Sequence, residues 1–219
     1  RSTLSPSSAA SDVYKRQEVY FDKGNILDSA KEGAYLIDMT TTSPMLDQKI
    51  AEEGTKRGFH VLDAPVTGGD TGAKAGTLSI LVGGSREDYE ACMPLFKAMG
   101  TNINYQGAAG SGQHAKLANQ IMIAGTLSGV CEALTYAKEQ GLDPEVFMKS
   151  VATGAAGSKQ LDTFGPKILK DDYAPGFFMK HFIKDMKLAL IEANRKGLSL
   201  DVLSMVPVSY THLTLPTTE

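Results

Sequence analysis

Lys116 is the residue whose type and setting best suit chemistry. It lies in the stretch from Gly107 to Cys131, GAAGSGQHAKLANQIMIAGTLSGVC, where His114 and Lys116 are the only basic or acidic side chains. After a glycine-rich entry, the apolar and small residues predict a helix that is buried over most of its circumference. Lys116 would lie about one turn inside the helix start, where the helix dipole and burial both lower the pKa of an ammonium group. Such an amine can exchange protons near neutral pH or act as a nucleophile.

The plainer interpretation of Lys116 is a solvated helix lysine. Against it, the helix carries no carboxylate before Glu132, so no i,i+4 partner explains the charge. Asn119 follows three residues later and shares the face of Lys116. Its amide could orient a hydroxyl or carbonyl oxygen against the amine, although a single asparagine on a helix more often serves packing.

A second segment with chemical potential is Pro65-Val66-Thr67-Gly68-Gly69. It offers a hydroxyl group and closely spaced backbone N–H groups just before a helical element. Such loops can hold a carboxylate without a side-chain cation. The alternative is an ordinary turn, and the segment alone does not distinguish the two.

Elements that would position these residues alternate between strand and helix as far as Gly107. Short apolar runs predict strands near residues 35–39, 60–64, 77–82 and 102–105. Helices are predicted from Pro44 to about Arg57, with Ser43 as N-cap, and from Ser85 to Gly100. This alternation indicates a mostly parallel sheet with covering helices. Loops after its strands, where functional groups gather in such sheets, are Thr40 to Ser43, Pro65 to Gly69 and Gly107 to Gly112.

No strand pattern follows Gly107. The long helix is expected to end near Gly141, and Asp143-Pro144 opens a helix to about Thr153. Residues 159–170 are predicted to be helical with a break at Gly165-Pro166, and a last helix covers about 180–196. The chain is therefore expected to be a sheet domain followed by an all-helical domain, with the Lys116 helix joining them.

Composition excludes several classes of protein. The 219 residues carry a net charge of -3 without a basic stripe, so nucleic acid is not an expected partner. Cys92 and Cys131 have no metal-binding or redox spacing and suggest a reducing compartment. The apolar run from Ile121 to Cys131 is too short to span a bilayer. We expect a cytoplasmic protein that has no membrane partner.

Both ends of the chain break the pattern. Residues 1–17 are serine-rich without apolar periodicity, and residues 207–219 follow no helix stop. Both resemble translated adaptor or cloning sequence, so we treat them as a non-native or disordered leader and tail. The native gene is expected to extend beyond both ends.

Four motifs in order carry a resemblance to a known family: Asp38-Met39-Thr40-Thr41-Thr42-Ser43-Pro44, Asp63-Ala64-Pro65-Val66-Thr67-Gly68-Gly69, Gly110-Ser111-Gly112-Gln113-His114-Ala115-Lys116-Leu117-Ala118-Asn119-Gln120 and His181-Phe182-Ile183-Lys184-Asp185. Over about Glu18 to Ser204 the chain resembles the β-hydroxyacid dehydrogenases, which include 3-hydroxyisobutyrate dehydrogenase and 2-hydroxy-3-oxopropionate reductase. Glyoxylate and succinic semialdehyde reductases are relatives. The implied fold is an α/β Rossmann-like parallel sheet domain, truncated here to residues 18–109, and an all-α domain at residues 110–206.

The resemblance implies a role for each matching residue. Lys116 matches the catalytic lysine that exchanges the proton of the substrate alcohol. Thr67, Gly68 and Gly69 match the loop that binds the substrate carboxylate, although the family commonly has serine at the position of Thr67. Asn119 matches a substrate-positioning asparagine, and Phe177 fits a pocket-lining aromatic. Positions that contact the dinucleotide are matched by Thr41 and Lys184.

One family feature is not found between Arg1 and Lys31. Members open with a strand and a Gly-x-Gly-x-x-Gly turn that holds the pyrophosphate of NAD or NADP, followed by the residue that selects between them. The chain taken alone is therefore expected to bind a dinucleotide poorly and to be inactive. The implied function of the whole protein is hydride transfer between NAD or NADP and a short β-hydroxy acid or its semialdehyde, in a homodimer or homotetramer, with no metal.

Two other functions stay open. Lys116 could be the nucleophile of a Schiff-base lyase, or the chain could be a non-catalytic scaffold relative of the family. Relatives of the second kind lose the lysine, as do those that reduce imines, whereas Lys116 and Asn119 are both present here. The 6-phosphogluconate dehydrogenases share the architecture, but the sequence near Thr67 has no basic cluster that could bind a substrate phosphate.

Overall fold

The computed structural model describes residues 8–172 and 179–206. Their helices and strands follow the order expected from the sequence, with a sheet in the first half and helices in the second. The elements in chain order are α1 (Ser8–Phe21), α2 (Ile26–Ser29), β1 (Tyr35–Asp38), α3 (Pro44–Lys56), β2 (His60–Asp63), β3 (Val66–Thr67), α4 (Gly69–Ala75), β4 (Leu78–Gly84), α5 (Arg86–Ala91), α6 (Met93–Lys97), β5 (Gly100–Gly107), α7 (Ser111–Glu139), α8 (Pro144–Ala152), α9 (Lys159–Ile168) and α10 (Met179–Arg195). Residues 201–206 are also helical.

The sheet has five strands and is mixed, and most of its paired residues lie in parallel ladders. β1 pairs with β2 and β4 pairs with β5 in parallel, whereas β2 and β3 both run antiparallel to β4. Because Ser79 of β4 faces Thr67 on one side and Asn102 on the other, β2 and β3 lie in line along one edge of β4 and β5 lies along the other. β4 runs antiparallel to β3 because the connection between them, residues 68–77 with the short helix α4, is short. A parallel crossover needs a dozen or more residues.

Two helices differ from their predicted form. The helix expected from Ser85 to Gly100 is two short helices that meet at Cys92, because Pro94 cannot donate its nitrogen to a continuing helix. The break expected at Gly165-Pro166 is absent from α9, which continues through Pro166 as far as Ile168.

Residues 8–17, which the sequence analysis set aside as a leader, form the first part of α1. Within them the guanidinium of Arg16 lies 3.4 Å from the Asp38 carboxylate at the end of β1. Tyr20 in the second part of α1 is buried against α3 in a core cluster that also contains Leu46 and Ile50. α1 therefore covers the β1 side of the sheet.

α7 connects the two halves of the molecule. Its first turns pack on the sheet strands, and its remainder packs against α9 and α10. Leu117 and Ala124 join Phe182 and Met186 of α10 in the core of the helical half. α7 is long and apolar enough to cross a membrane by length and composition, a test that the core helix of a water-soluble domain also passes, and 28% of its most apolar window is buried in the structure.

Candidate active site

The start of α7 is held on the sheet by the carboxylate of Asp63, the last residue of β2. Asp63 is buried, and its two oxygens accept hydrogen bonds from the backbone nitrogens of Gly110 (2.8 Å) and Gln113 (2.9 Å). Burial raises the pKa of Asp63, and these backbone hydrogen bonds oppose the shift. A carboxylate at this position satisfies free N–H groups of the helix start and complements its dipole.

Glycines make this close approach possible. A Cβ atom on Gly83 of β4 would lie 2.5 Å from Asp63 Oδ1 and 2.7 Å from the backbone nitrogen of Gly112. A Cβ atom on Gly112 would lie 2.7 Å from the Asp63 carbonyl oxygen. The helix carrying Lys116 can therefore pack directly on the sheet backbone.

Lys116 lies in the second turn of α7 and is only 9% exposed. Within residues 8–172 and 179–206, its ammonium group has no hydrogen bond or ion pair. Burial lowers its pKa, and the positive charge of Lys184 lowers it further, whereas the negative charge of Asp185 raises it. The burial and the direction of the pKa shift agree with the expectation from the sequence.

Two buried charges from α10 face this region. Lys184 is 7% exposed and donates a hydrogen bond to the carbonyl oxygen of Thr41. Asp185 accepts a 2.7 Å hydrogen bond from the Gln120 side chain of α7, and its other oxygen lies 3.2 Å from the Lys184 ammonium. Burial raises the pKa of Asp185, whereas the charge of Lys184 lowers it. The helical half thus supplies a charged pair next to the Lys116 helix.

The loop that leaves β1 is fixed by its own carboxylate and by α7. Asp38 Oδ1 accepts hydrogen bonds from the backbone nitrogen and the hydroxyl of Thr40, at 2.8 and 2.7 Å. From the other side, the Gln113 side chain accepts from the Thr42 nitrogen at 3.0 Å and donates to the Thr40 carbonyl at 2.7 Å. Sequence patterns alone do not predict these roles of Asp38, Asp63, Gln113 and Asp185. The available signal for Gln113 was a glutamine in the first turn of an otherwise largely apolar helix.

A cleft of about 450 Å³ opens where this loop meets α10. It is lined by Lys15, Arg16, Val19, Thr40, Thr41, Thr42, His181, Lys184 and Asp185. The structure therefore brings together Thr41 and Lys184, the two residues predicted to contact a dinucleotide. Lys116 and the Thr67 loop are not among the residues lining this cleft.

The predicted carboxylate-binding loop lies where β3 ends and α4 begins. Gly68 and Gly69 are exposed and have φ values of 129° and 63°, which side chains rarely adopt. Thr67 is half-buried. No hydrogen bond joins this loop to Lys116 among the described residues, so its role in binding remains a prediction.

The remaining predicted residues are Asn119 and Phe177. Asn119 is half-buried and donates a 2.8 Å hydrogen bond to the Gln120 side chain, which in turn donates to Asp185. Asn119 is thus joined through Gln120 to the α10 pair. Phe177 lies outside the described residues.

The cleft suits one end of a nicotinamide dinucleotide. It has the volume of a small-molecule site, and Thr40, Thr41, Thr42 and Lys184 are among the residues that line it. These residues would hold polar groups of the cofactor near its nicotinamide end. In the described residues no group of three or more His, Cys, Asp or Glu side chains could hold a metal ion.

Family models match both halves of the chain. Residues 11–107 match the NAD binding domain of 6-phosphogluconate dehydrogenase, and residues 110–214 match the NAD-binding domain of NADP-dependent 3-hydroxyisobutyrate dehydrogenase. The fold and the site thus define an NAD(P)-binding oxidoreductase made of a Rossmann-like domain and a helical domain.

Relatives show the family. The chain is 54% identical to the uncharacterized oxidoreductase YkwC of Bacillus subtilis (strain 168), over 90% of this chain and 68% of that protein. It is 37% identical to the 2-hydroxy-3-oxopropionate reductase of Escherichia coli (strain K12), over 86% of this chain and 65% of the relative. A solved 3-hydroxyisobutyrate dehydrogenase from Mycobacterium tuberculosis with L-serine superposes with a TM-score of 0.83 at 26% identity, covering 94% of this chain and 71% of the other. The chain belongs to the β-hydroxyacid dehydrogenase family, the family of 3-hydroxyisobutyrate dehydrogenase.

Proposed function

We propose that the whole protein transfers a hydride between NAD or NADP and a short β-hydroxy acid or its semialdehyde, with Lys116 as the general acid and base. The observation that carries the proposal is the buried amine of Lys116, whose pKa is lowered by burial. It lies on the helix that also holds the cofactor loop through Gln113. The relatives named for 2-hydroxy-3-oxopropionate and 3-hydroxyisobutyrate support the substrate class.

In the proposed reaction the substrate alcohol loses one hydride and one proton. A bound nicotinamide would accept the hydride from the carbon of the alcohol. The neutral amine of Lys116 takes the proton of the alcohol hydroxyl, so the carbon–oxygen single bond becomes a carbonyl. In the reverse direction the ammonium form of Lys116 returns the proton to the carbonyl oxygen. Asn119 would orient that oxygen.

The substrate carboxylate would be bound at the loop of Thr67, Gly68 and Gly69. Left-handed Gly68 and Gly69 let consecutive backbone N–H groups point toward one ligand, and the Thr67 hydroxyl adds a donor. Where the family commonly has serine, the extra methyl group of Thr67 narrows the space beside the carboxylate. This would favour small substrates.

The wider assembly is also part of the proposal. We infer a homodimer or homotetramer because α7 exposes large apolar side chains, with Met122 72% and Tyr136 68% exposed. We further propose that the 219-residue chain alone is a weak catalyst, since no Gly-x-Gly-x-x-Gly turn lies between Arg1 and Lys31. Kinetic tests therefore use the enzyme expressed from its complete native reading frame.

Isotope transfer tests the function. The enzyme is given reduced cofactor deuterated at the transferred position of the ring, with a panel of short semialdehydes that do or do not carry a carboxylate. The proposal predicts deuterium on the alcohol carbon of the product and a preference for the carboxylated members. A Schiff-base lyase would give no deuterium transfer and would be trapped covalently by borohydride, which would contradict the proposal.

A further inference from the structure

Gln113 joins the loop at Thr40–Thr42 to the helix that carries Lys116. The proposed chemistry requires these two parts of the candidate site to keep a fixed relative position. Gln113 is completely buried in the first turn of α7, three residues before Lys116, so the two side chains leave neighbouring positions on one face of the helix. Its backbone nitrogen is fixed by the Asp63 carboxylate at 2.9 Å. The side chain therefore projects from a backbone that is already anchored to the sheet.

The side-chain amide of Gln113 makes two hydrogen bonds of opposite sense with one loop. Its oxygen accepts from the Thr42 nitrogen at 3.0 Å, and its nitrogen donates to the Thr40 carbonyl at 2.7 Å. Lys184 binds the carbonyl of Thr41 between them. Three successive residues of the loop are thus held, two by α7 and one by α10.

The amide of Gln113 offers both the acceptor that the Thr42 nitrogen needs and the donor that the Thr40 carbonyl needs. An ionised carboxylate can accept from Thr42 but cannot donate to Thr40. A methionine of similar length has only a weak sulfur acceptor and no donor. Thr42 is buried, so loss of its acceptor would leave a buried backbone N–H unsatisfied, which the loop relieves by moving away from α7. That movement would carry Thr41 with it.

We propose that Gln113 is a positioning residue, which sets the distance between the cofactor loop at Thr40–Thr42 and the proton-exchanging group of Lys116 by its two hydrogen bonds to that loop. This inference rests on the proposed function, since the loop would hold the nicotinamide end and Lys116 would hold the alcohol proton. The hydride and the proton leave the same substrate molecule. A change of about 1 Å in the distance between the loop and the Lys116 amine is therefore expected to reduce turnover by about 100-fold.

Hydrogen exchange of the Thr42 amide tests whether the Gln113 side chain holds the loop. The measurement uses the 219-residue chain and needs no cofactor. In Gln113→Met we expect the Thr42 amide to exchange about tenfold faster than in the wild type, because it loses its acceptor. Gln113→Glu keeps an acceptor for Thr42 and should retain most of that protection. Unchanged Thr42 exchange in Gln113→Met would overturn the inference.

Kinetics of the complete enzyme then test the consequence. Gln113→Met should lower kcat per folded molecule by about 10- to 100-fold and raise the deuterium isotope effect on kcat, with little change in cofactor affinity. Gln140→Met, at the exposed residue that caps the far end of α7, is the matched control and should behave as wild type. Gln113→Glu serves if the methionine variant does not fold. Its kcat relative to wild type should fall with rising pH as the introduced carboxyl, which lies beside the carboxyls of Asp47 and Asp63, ionises and loses its proton for Thr40.

The outcomes separate the two proposals. An active wild type with Gln113 variants of equal kcat per folded molecule contradicts the positioning role alone. A wild type without hydride transfer contradicts the proposed function, while the exchange of the Thr42 amide still decides whether Gln113 holds the loop.

Discussion

Gln120 on α7 donates a 2.7 Å hydrogen bond to the buried carboxylate of Asp185 on α10. This contact joins the helix of Lys116 to the helix of Lys184, and the other oxygen of Asp185 lies 3.2 Å from the Lys184 ammonium. The buried amine of Lys116 thus titrates in the field of a neighbouring pair of opposite charges. The two members of that pair shift its pKa in opposite directions.

Substituting Asp185 and Lys184 one at a time should move the pH profile of alcohol oxidation in opposite directions. Oxidation of the alcohol needs the neutral amine of Lys116, so its rate rises with pH through the pKa of Lys116. Asp185→Asn removes a negative charge that raises this pKa, and the rising limb should move to lower pH. Lys184→Met removes a positive charge that lowers it, and the limb should move to higher pH.

The measurement is kcat/KM for oxidation across pH in the complete enzyme. Lys184→Met also loses its hydrogen bond to Thr41, so the position of the limb, and not the height of the profile, is compared. Shifts of the same sign in both variants would show that these charges do not act on Lys116.

Thr67 tests the carboxylate-binding loop. Thr67→Val keeps the shape of the side chain and removes the hydroxyl, so KM for a carboxylated substrate should rise about tenfold or more, as for a lost hydrogen bond to a charged group. Thr67→Ser keeps the hydroxyl, removes the methyl group, and should accept a bulkier semialdehyde better than the wild type does. Steady-state kinetics with a small and a bulky substrate separate the two effects. Equal KM values for the valine variant and the wild type would remove Thr67 from the binding loop.

Asp47 makes stability depend on pH. Burial, followed by the negative charges of Asp38 and Asp63, raises the pKa of the Asp47 carboxyl to about 8. Because the folded-state pKa lies above the unfolded value, the folded state binds the proton more tightly. The stabilising contribution is therefore complete at acid pH and is lost as pH rises toward about 8, at roughly 1.4 kcal/mol per pH unit between the two pKa values.

Asp47→Asn removes this titration. The measurement is the unfolding free energy of the 219-residue chain from urea denaturation. The value for Asp47→Asn minus the value for wild type should increase with pH and then level off above about 8. Lys49 on the same helix is exposed, and Lys49→Ala should show no such trend. A difference between Asp47→Asn and wild type that is constant with pH would contradict the raised pKa.

Gly83 and Gly129 give a matched pair for the packing of α7. Gly83→Ala would place a methyl group 2.5 Å from Asp63 Oδ1, in a buried backbone crossing, and should lower the unfolding free energy by about 1–3 kcal/mol. Gly129→Ala on the open face of α7 meets no atom within 4 Å and should raise it by about 0.5–1 kcal/mol. Urea denaturation measures both. If both substitutions changed the unfolding free energy in the same direction, α7 would not pack on the sheet as described.

Local signals in the sequence sufficed for most elements. Ser43-Pro44 correctly marked the start of α3, and the apolar run of Tyr35 to Asp38 correctly marked β1. The burial of Lys116 also followed from sequence, because its segment is rich in apolar and small residues and has no carboxylate before Glu132. These features depend on residues close together in the chain.

Long-range contacts were beyond that reasoning. Asp63 binds Gly110 and Gln113, which lie about fifty residues further along, and Gln113 binds Thr40 and Thr42. The sequence shows such side chains only as polar residues near strand or helix ends, because their partners become neighbours only after folding. The continuation of α9 through Pro166 was missed for a similar reason, since packing of Leu161 against α7 holds that helix.

The central claim is that one buried amine exchanges the proton of the substrate, and its direct test compares two lysines of the same helix. In the complete enzyme, Lys116→Met should lower kcat by about 100- to 10,000-fold while cofactor affinity stays near wild type. Lys138→Met, at the exposed end of α7, should leave both unchanged. If Lys116→Met retains wild-type kcat, or loses cofactor binding together with turnover, Lys116 is not the general acid and base.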